Sequence, residues 1–188
     1  GDEVPLRGQP DRLKNFFRTA TTLTNTISVN GGSEKMQTYF SYGNTKAQGI
    51  MRNNDLLRHN IDLMINNNIS SKLSLQTKLT YIYEDVDNRV TPGEGGTYAL
   101  PSIYRSPTSI PAEEMKKYSY LDEEGIEKQS YWKPGSSILL NPYWALNRVS
   151  YFQAKDRILG LFSAKYEFND WLNLQERGSV DKTMGQSN

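Results

Sequence analysis

RHNIDLMINNNISSKLSLQTKLTYIYE, residues 58–84, decides the fold. Taking every second residue gives His59, Ile61, Leu63, Ile65, Asn67 and Ile69, then Leu73, Leu75, Thr77, Leu79, Tyr81 and Tyr83. The intervening set is Asn60, Asp62, Met64, Asn66 and Asn68, then Ser74, Gln76, Lys78, Thr80, Ile82 and Glu84. Period-two alternation on both sides of a short polar break, Ser70-Ser71-Lys72, predicts two antiparallel strands joined by a tight turn. Each half exceeds the ordinary soluble strand of about 5–6 residues. Each also reaches the ~9–11 residues that a tilted strand needs to cross a bilayer.

Paired residues share a face, and both apolar sets carry odd numbers. A three-residue loop at 70–72 therefore sets Ile69 opposite Leu73 and Ile65 opposite Thr77. On the other face it sets Asn66 opposite Gln76, Asp62 opposite Thr80 and Arg58 opposite Glu84. One face is aliphatic with aromatics near one end. The other is amide, hydroxyl and charge.

Two further hairpins follow the same logic. Leu23, Asn25, Ile27 and Val29 alternate with Thr22, Thr24, Thr26 and Ser28. A type II′ turn centred on Gly32-Ser33 sets Val29 opposite Met36 and Thr24 opposite Ser41. Ile158, Gly160, Phe162, Ala164, Tyr166 and Phe168 restore the pattern late in the chain, and Asn169-Asp170-Trp171 turns it before Leu172 and Leu174. The tail 178–188 reads as polar and truncated. Gly1 reads as a residue left by a tag, so the chain is expected to be a piece of a longer protein.

The expected division is a lead-in over 1–18 with one helical turn around Leu13, Phe16 and Phe17, two hairpins over 19–84, a long loop over 85–155, and a third hairpin with its tail over 156–188. Gly and Pro cluster in the long loop, from Pro92-Gly93 to Pro134-Gly135. Within it, Pro111 to Lys117 suits a short helix and Ser119 to Gln129 a small hairpin turning at Glu124-Gly125. The connections within hairpins are tight, whereas those between hairpins, 44–57 and 85–155, are long. Long loops on one side and tight turns on the other are the layout of outer-membrane barrels.

Totals exclude several classes. The chain has 188 residues, no Cys, one His and a net charge of +1. Near-neutral charge gives no case for nucleic acid. A disulfide framework or thiolate metal site is excluded. Mean hydropathy is −0.69, and no apolar run approaches a membrane helix, which says nothing against a barrel whose strands show only alternate residues to lipid.

Four stretches resemble a known family. Phe16-Phe17-Arg18-Thr19, with Ile27 to Lys35 (ISVNGGSEK), resembles the FFRTG…SVSGGTEK stretch of the SusC/RagA family, the TonB-dependent outer-membrane transporters of the Bacteroidetes. Tyr39 to Gly43 and Gln48-Gly49-Ile50 resemble its YFSLGY…QGI run. Asn141 to Asn147 (NPYWALN) and Asn169 to Leu172 (NDWL) resemble its NPYW-L-N and DWL signatures. The matches span residues 15–178 in the family's order. The resemblance implies an all-β fold of antiparallel hairpins forming part of a transmembrane β-barrel, roughly six of the ~22 strands of such a transporter, with one long extracellular loop. It implies the outer membrane, import of oligosaccharides or peptides, and no enzymatic chemistry or cofactor. The implied partners are a SusD-like lipoprotein, the TonB complex through parts absent here, and outer-membrane lipid.

Aromatic faces stack on sugar rings, so Tyr104, Tyr120, Tyr131, Trp132, Tyr143 and Trp144 in the long loop are the substrate-contact candidates. His59 reads as a rim residue, with no second His or Cys to complete a metal or acid–base site. Asp122-Glu123-Glu124 reads as a solvated hairpin tip rather than a calcium site. Tyr42, Tyr81 and Tyr83 fit an interfacial aromatic girdle or cross-strand packing. The competing reading is a soluble β-sandwich carbohydrate-binding module, which predicts a two-sided core and turns of equal length. An isolated piece with open edges is expected to associate with itself.

Overall fold

A computed structural model describes residues 8–89, 99–132 and 140–187. The lead-in residues 1–7, the turn cluster at Pro92 to Gly96, Pro134-Gly135 and Asn188 lie outside them.

Six long strands form one sheet in chain order. They are β1 (Thr21–Gly32), β2 (Met36–Gln48), β3 (Asp55–Asn68), β4 (Leu73–Asp87), β7 (Phe152–Asn169) and β8 (Leu172–Ser187). Between β4 and β7 the chain makes an excursion. It holds helices α2 (Ala99–Arg105), α3 (Ala112–Lys116) and α4 (Pro142–Arg148), and a small ladder of β5 (Ser119–Leu121) and β6 (Glu127–Gln129). Helix α1 (Arg12–Phe16) precedes β1.

The central hairpin pairs in the expected register. Gln76 Nε2 donates to Asn66 Oδ1 at 2.9 Å, Thr80 Oγ1 donates to Asp62 Oδ1 at 2.6 Å, and Arg58 Nε donates to Glu84 Oε2 at 2.9 Å. The Ser70 amide closes the turn on the Leu73 carbonyl at 3.2 Å. In the last hairpin Tyr166 pairs with Leu174 and Phe162 with Gly178. Asn169 Oδ1 accepts from the Leu172 amide at 2.8 Å, and the local register slips there by a bulge between Glu167 and Asn169.

The first hairpin corrects the expected register. Thr24 meets the hydroxyl of Thr45 at 3.1 Å, rather than Ser41 four positions earlier, and Thr21 donates to Gln48. The strand runs through both glycines because the Ser33 hydroxyl accepts from the amides of Lys35 and Met36 and moves the turn past it. Gly32 takes φ +153°, and a Cβ there would lie 2.1 Å from the Met36 carbonyl oxygen. The shift of four is even, so the apolar set keeps its face.

Two loops and the tail also change their bounds. Strand β2 continues to Gln48 and β3 starts at Asp55, so the expected 44–57 loop contracts to residues 49–54. The 85–155 loop becomes 88–151. The polar tail is strand through Ser187, with Val180 and Met184 continuing the even-numbered apolar set of β8. The small hairpin forms as expected, turning through Gly125 at φ +78°. Helix α3 begins one residue after Pro111.

The tight turns neighbour one another along one end of the sheet. The Asn68 amide donates to the Lys35 carbonyl at 2.6 Å, and the Glu167 amide to the Lys72 carbonyl at 2.8 Å. The 49–54 connection and the excursion therefore leave from the opposite strand ends.

Two compact units divide the chain, and each is discontinuous. One unites residues 1–21, 48–55 and 87–152. The other unites the strands. The buried hydrophobic core is Phe16, Met51, Ala99, Ile103, Met115, Tyr143, Ala145 and Leu146, and none of these lies in a strand of the six-stranded sheet. Leu23, Ile27, Phe40, Ile61, Leu79, Phe162, Leu174 and Val180 are large, apolar and exposed. Register places all of them on one face.

Edge strands β1 and β8 are exposed along their whole length. Each offers unpaired amides and carbonyls beside an apolar face, which recruits further strands. The isolated chain is thus expected to sediment as multimers at micromolar concentration without detergent. A monomer across that range by analytical ultracentrifugation would overturn this.

Candidate functional site

The excursion and α1 form the folded part that carries the substrate-contact candidates. Its centre is Asn141, 1% exposed. Asn141 Nδ2 donates to the carbonyls of Met115 (3.0 Å) and Ser130 (2.8 Å), its amide donates to Gln129 Oε1 (3.1 Å), and its Oδ1 caps α4 by accepting from the Tyr143 amide (2.9 Å). Pro142 then starts the helix, where its missing N–H costs nothing. Tyr143 turns inward, edge-on to Phe16 at 5.3 Å. Trp144 turns outward, edge-on to Tyr118 at 6.4 Å. The NPYW stretch is thus a staple, a helix start, a core ring and a surface ring.

The FFRT stretch works similarly. Phe16 is fully buried, and Phe17 stands edge-on to it at 5.2 Å. Arg18 donates to the carbonyls of Gly49 (2.8 Å) and Asn54 (3.1 Å) and to Asp55 (2.8 Å), clamping the 49–54 connection. Arg12, also buried, donates to the carbonyls of Ser106 and Pro107. Burial lowers the Arg12 pKa from its ordinary value.

The six candidates fall into different environments. Tyr104 and Tyr120 are well exposed. Tyr104 meets Phe17 at 6.5 Å, and Tyr120 stands on β5 across from Lys128. Tyr131 and Trp132 are half-buried and adjacent, with rings 4.3 Å apart and tilted by 49°. Burial raises the Tyr131 hydroxyl pKa. Trp144 is half-buried beside Tyr118, over which Arg148 lies at 6.0 Å. Glu127 fixes Arg148 through two bonds of 2.8 and 2.9 Å, which hold the Glu127 carboxyl below its ordinary range. Tyr143 is a core residue. Its hydroxyl is buried with no hydrogen-bond partner among the described residues, and burial pushes its pKa up.

The structure thus joins Tyr131 to Trp132 and sets Tyr104, Tyr120 and Trp144 on other parts of the excursion. Tyr118, one of the loop's aromatics, and Arg148 complete the Trp144 cluster; their pairing went unread in the sequence, because an Arg and a Tyr thirty positions apart carry no local pattern. His59 lies between Tyr42 and Tyr83, with Nδ1 2.7 Å from the Tyr42 hydroxyl. Asp122 Oδ1 accepts from the amides of Glu124 and Ile126, so that carboxylate serves the hairpin tip. Among the described residues no group of three His, Cys, Asp or Glu is placed to hold a metal.

One long-stranded meander interrupted by a folded excursion is a specific arrangement. Solved structures of the RagAB peptide importer share it. The importer in its closed-closed state matches with a TM-score of 0.65 at 21% identity, over 94% of this chain and 19% of that one. A RagAB peptide transporter structure matches with a TM-score of 0.66 at 21% identity, over 96% and 19%. The open-open state gives 0.65, 21%, 94% and 19%. With 94–96% of this chain covered, the RagAB likeness takes in sheet and excursion alike, and it shows the fold. The chain spans 19% of the RagAB chains it matches. No family model and no curated protein matches.

Proposed function

We propose that the chain is a segment of the barrel wall of a TonB-dependent outer-membrane transporter of the SusC/RagA type, importing peptides or oligosaccharides with a SusD-like lipoprotein lid. The observation that carries this is a sheet on which Leu23, Ile27, Phe40, Ile61, Leu79, Phe162, Leu174 and Val180 stand exposed on one face, in a fold shared with the RagAB peptide importer. Such a face costs roughly 25 cal/mol per Å² of apolar area in water, and lipid removes that cost. Long strands, tight turns at one end and an excursion at the other fit the same reading. The RagAB likeness favours peptides over glycans as cargo.

A soluble sandwich fits less well. It needs a second sheet on the apolar face. Among the described residues the other sheet is the β5–β6 ladder of three residue pairs.

Deleting Ala99 to Trp132 from the full-length protein is expected to reduce peptide uptake or lid association to background. Outer-membrane insertion, read by fractionation and heat-modifiable mobility, is expected to persist. If uptake and lid binding both survive, the excursion is only a cover. If wild-type protein is absent from the outer membrane, the transporter reading fails.

A further inference from the structure

Three asparagines join the 49–54 connection to the base of the excursion. Asn53 and Asn88 both take left-handed backbone, at φ +64° and +48°, a region that residues with side chains seldom enter and that Asn tolerates best. Asn53 Nδ2 donates to the Leu146 carbonyl at 2.9 Å, and Asn54 Nδ2 donates to the carbonyls of Asp87 (3.2 Å) and Asn88 (3.0 Å). Asn88 Nδ2 returns a bond of 2.7 Å to the Asn53 carbonyl. Side chains thus strap the connection to the excursion.

Asn88 holds the unusual place. Strands β4 and β7 are neighbours in the sheet. Asn88 lies one residue past the end of β4, and Tyr151 one residue before the start of β7. Two residues facing each other as a hydrogen-bonded pair exchange both N–H···O bonds through the backbone. Here the backbone makes half of that exchange. The Asn88 amide donates to the Tyr151 carbonyl, but the Tyr151 amide donates to the side-chain Oδ1 of Asn88, at 3.0 Å. The left-handed turn has swung the Asn88 carbonyl out of the ladder and onto Asn54, and the side-chain oxygen fills its place.

We infer that Asn88 is a two-position latch at the base of the excursion. In the position seen, its carbonyl holds Asn54 and its side chain holds Asn53. In the second, Asn88 returns to extended backbone, its own carbonyl takes the Tyr151 amide, and the ladder lengthens by one pair. The bonds to Asn53 and Asn54 are then released. The Tyr151 amide is satisfied in both positions. The second relieves the left-handed backbone, and water replaces side-chain bonds that already lie at or near the surface. Such near balance makes an element that anything bound to the excursion can bias. Opening the latch frees residues 49–54 from the body that carries Tyr131, Trp132 and Trp144. The latch goes beyond the transporter reading and does not depend on the cargo.

The test is hydrogen exchange on the full-length protein in detergent, resolved to single residues by mass spectrometry. The amides of Gly49 and Asn54, bonded to the carbonyls of Asn54 and Met51, report the strap. The Tyr151 amide reports the ladder. A β-branched residue does not adopt left-handed backbone, so Asn88→Val is expected to throw the latch. Strap amides then exchange roughly tenfold faster, the worth of one lost hydrogen bond, while Tyr151 stays slow. Asn88→Gly keeps the left-handed backbone without the side-chain oxygen, so the pattern is expected to reverse, with the strap slow and Tyr151 fast. Asn54→Ala leaves residue 88 intact and is expected to behave as Asn88→Val does. Unchanged exchange in β3 and β4 confirms that each variant is folded. A fast Tyr151 in Asn88→Val or Asn54→Ala means that no second position exists and overturns the latch. A slow strap in either variant, or a slow Tyr151 in Asn88→Gly, overturns the roles given to these side chains. None of these readouts involves uptake, so the latch and the transporter reading fail separately.

Discussion

On the barrel-wall reading, Ile65→Arg in the full-length protein is expected to lower the stability of the membrane-inserted state by about 2–4 kcal/mol, the cost of a guanidinium on a lipid-facing strand near the bilayer midplane. Ile65 lies in the middle of β3, on the face shared with Ile61, Ile69 and Leu79. The sheet supplies no acidic partner at that row, since register sets Thr77 opposite. The measurement is refolding into phospholipid vesicles, followed by heat-modifiable mobility against urea. Lys78 provides the control. It stands one residue from Thr77 on the opposite face, already charged and exposed. Lys78→Ile is expected to shift the midpoint by no more than about 0.5 kcal/mol. A tolerated Ile65→Arg beside a damaging Lys78→Ile would mean that the faces are assigned the wrong way round.

Phe16→Ala is expected to open the excursion while sparing the strands. Phe16 is fully buried and stands edge-on to both Phe17 and Tyr143. Truncating such a ring costs about 3–5 kcal/mol, comparable with the whole stability of a small domain. Limited trypsin digestion reads the result at Lys116, Lys117 and Lys128, which become cleavable, whereas sites in β3 and β4 stay protected. Tyr143→Phe is the paired control. Its hydroxyl is buried and unpartnered, so removing it is expected to be neutral or stabilising. A Phe16→Ala protein as resistant as wild type would show that this core does not hold the excursion together.

The strands were legible because their signal is local. Residues 58–84 alternate on both sides of the 70–72 break, and shared parity of the two apolar sets fixed the register of that turn. The first hairpin was harder. Gly31-Gly32-Ser33 admits several turns, and the Ser33 hydroxyl decides among them through bonds that no alternation reveals. The tail of β8 was missed because Gly178, Lys182 and Gln186 dilute its even-numbered apolar set. Helix α2 has no polar period to announce it. Helix α4 went unread, although Asn141-Pro142 is a cap followed by a proline. The core could not be read, because Phe16, Met51, Ile103 and Tyr143 meet only in three dimensions. For the same reason Tyr143 read as a contact residue when its ring is structural. The stretches carrying the family resemblance are scaffold as well: Asn141 staples, Arg18 clamps and Asn169 turns the chain.

The three-part make-up of the excursion's core imposes an order on folding. Phe16 precedes the first strand, Met51 sits between two hairpins, and the other members arrive only with residues 99–146. Closing that core directly from an unfolded chain would mean closing very long loops, with the entropy that entails. Each hairpin that zips first shortens the effective tether, because β1–β2 and β3–β4 bring their own ends together. The favourable route therefore forms strands early and seals the core last. Until Tyr143 is in place, Phe16 and Met51 are unshielded, sticky surface. Chains halted before α4 are expected to leave that surface exposed, and to be digested by proteases faster than chains that reach it.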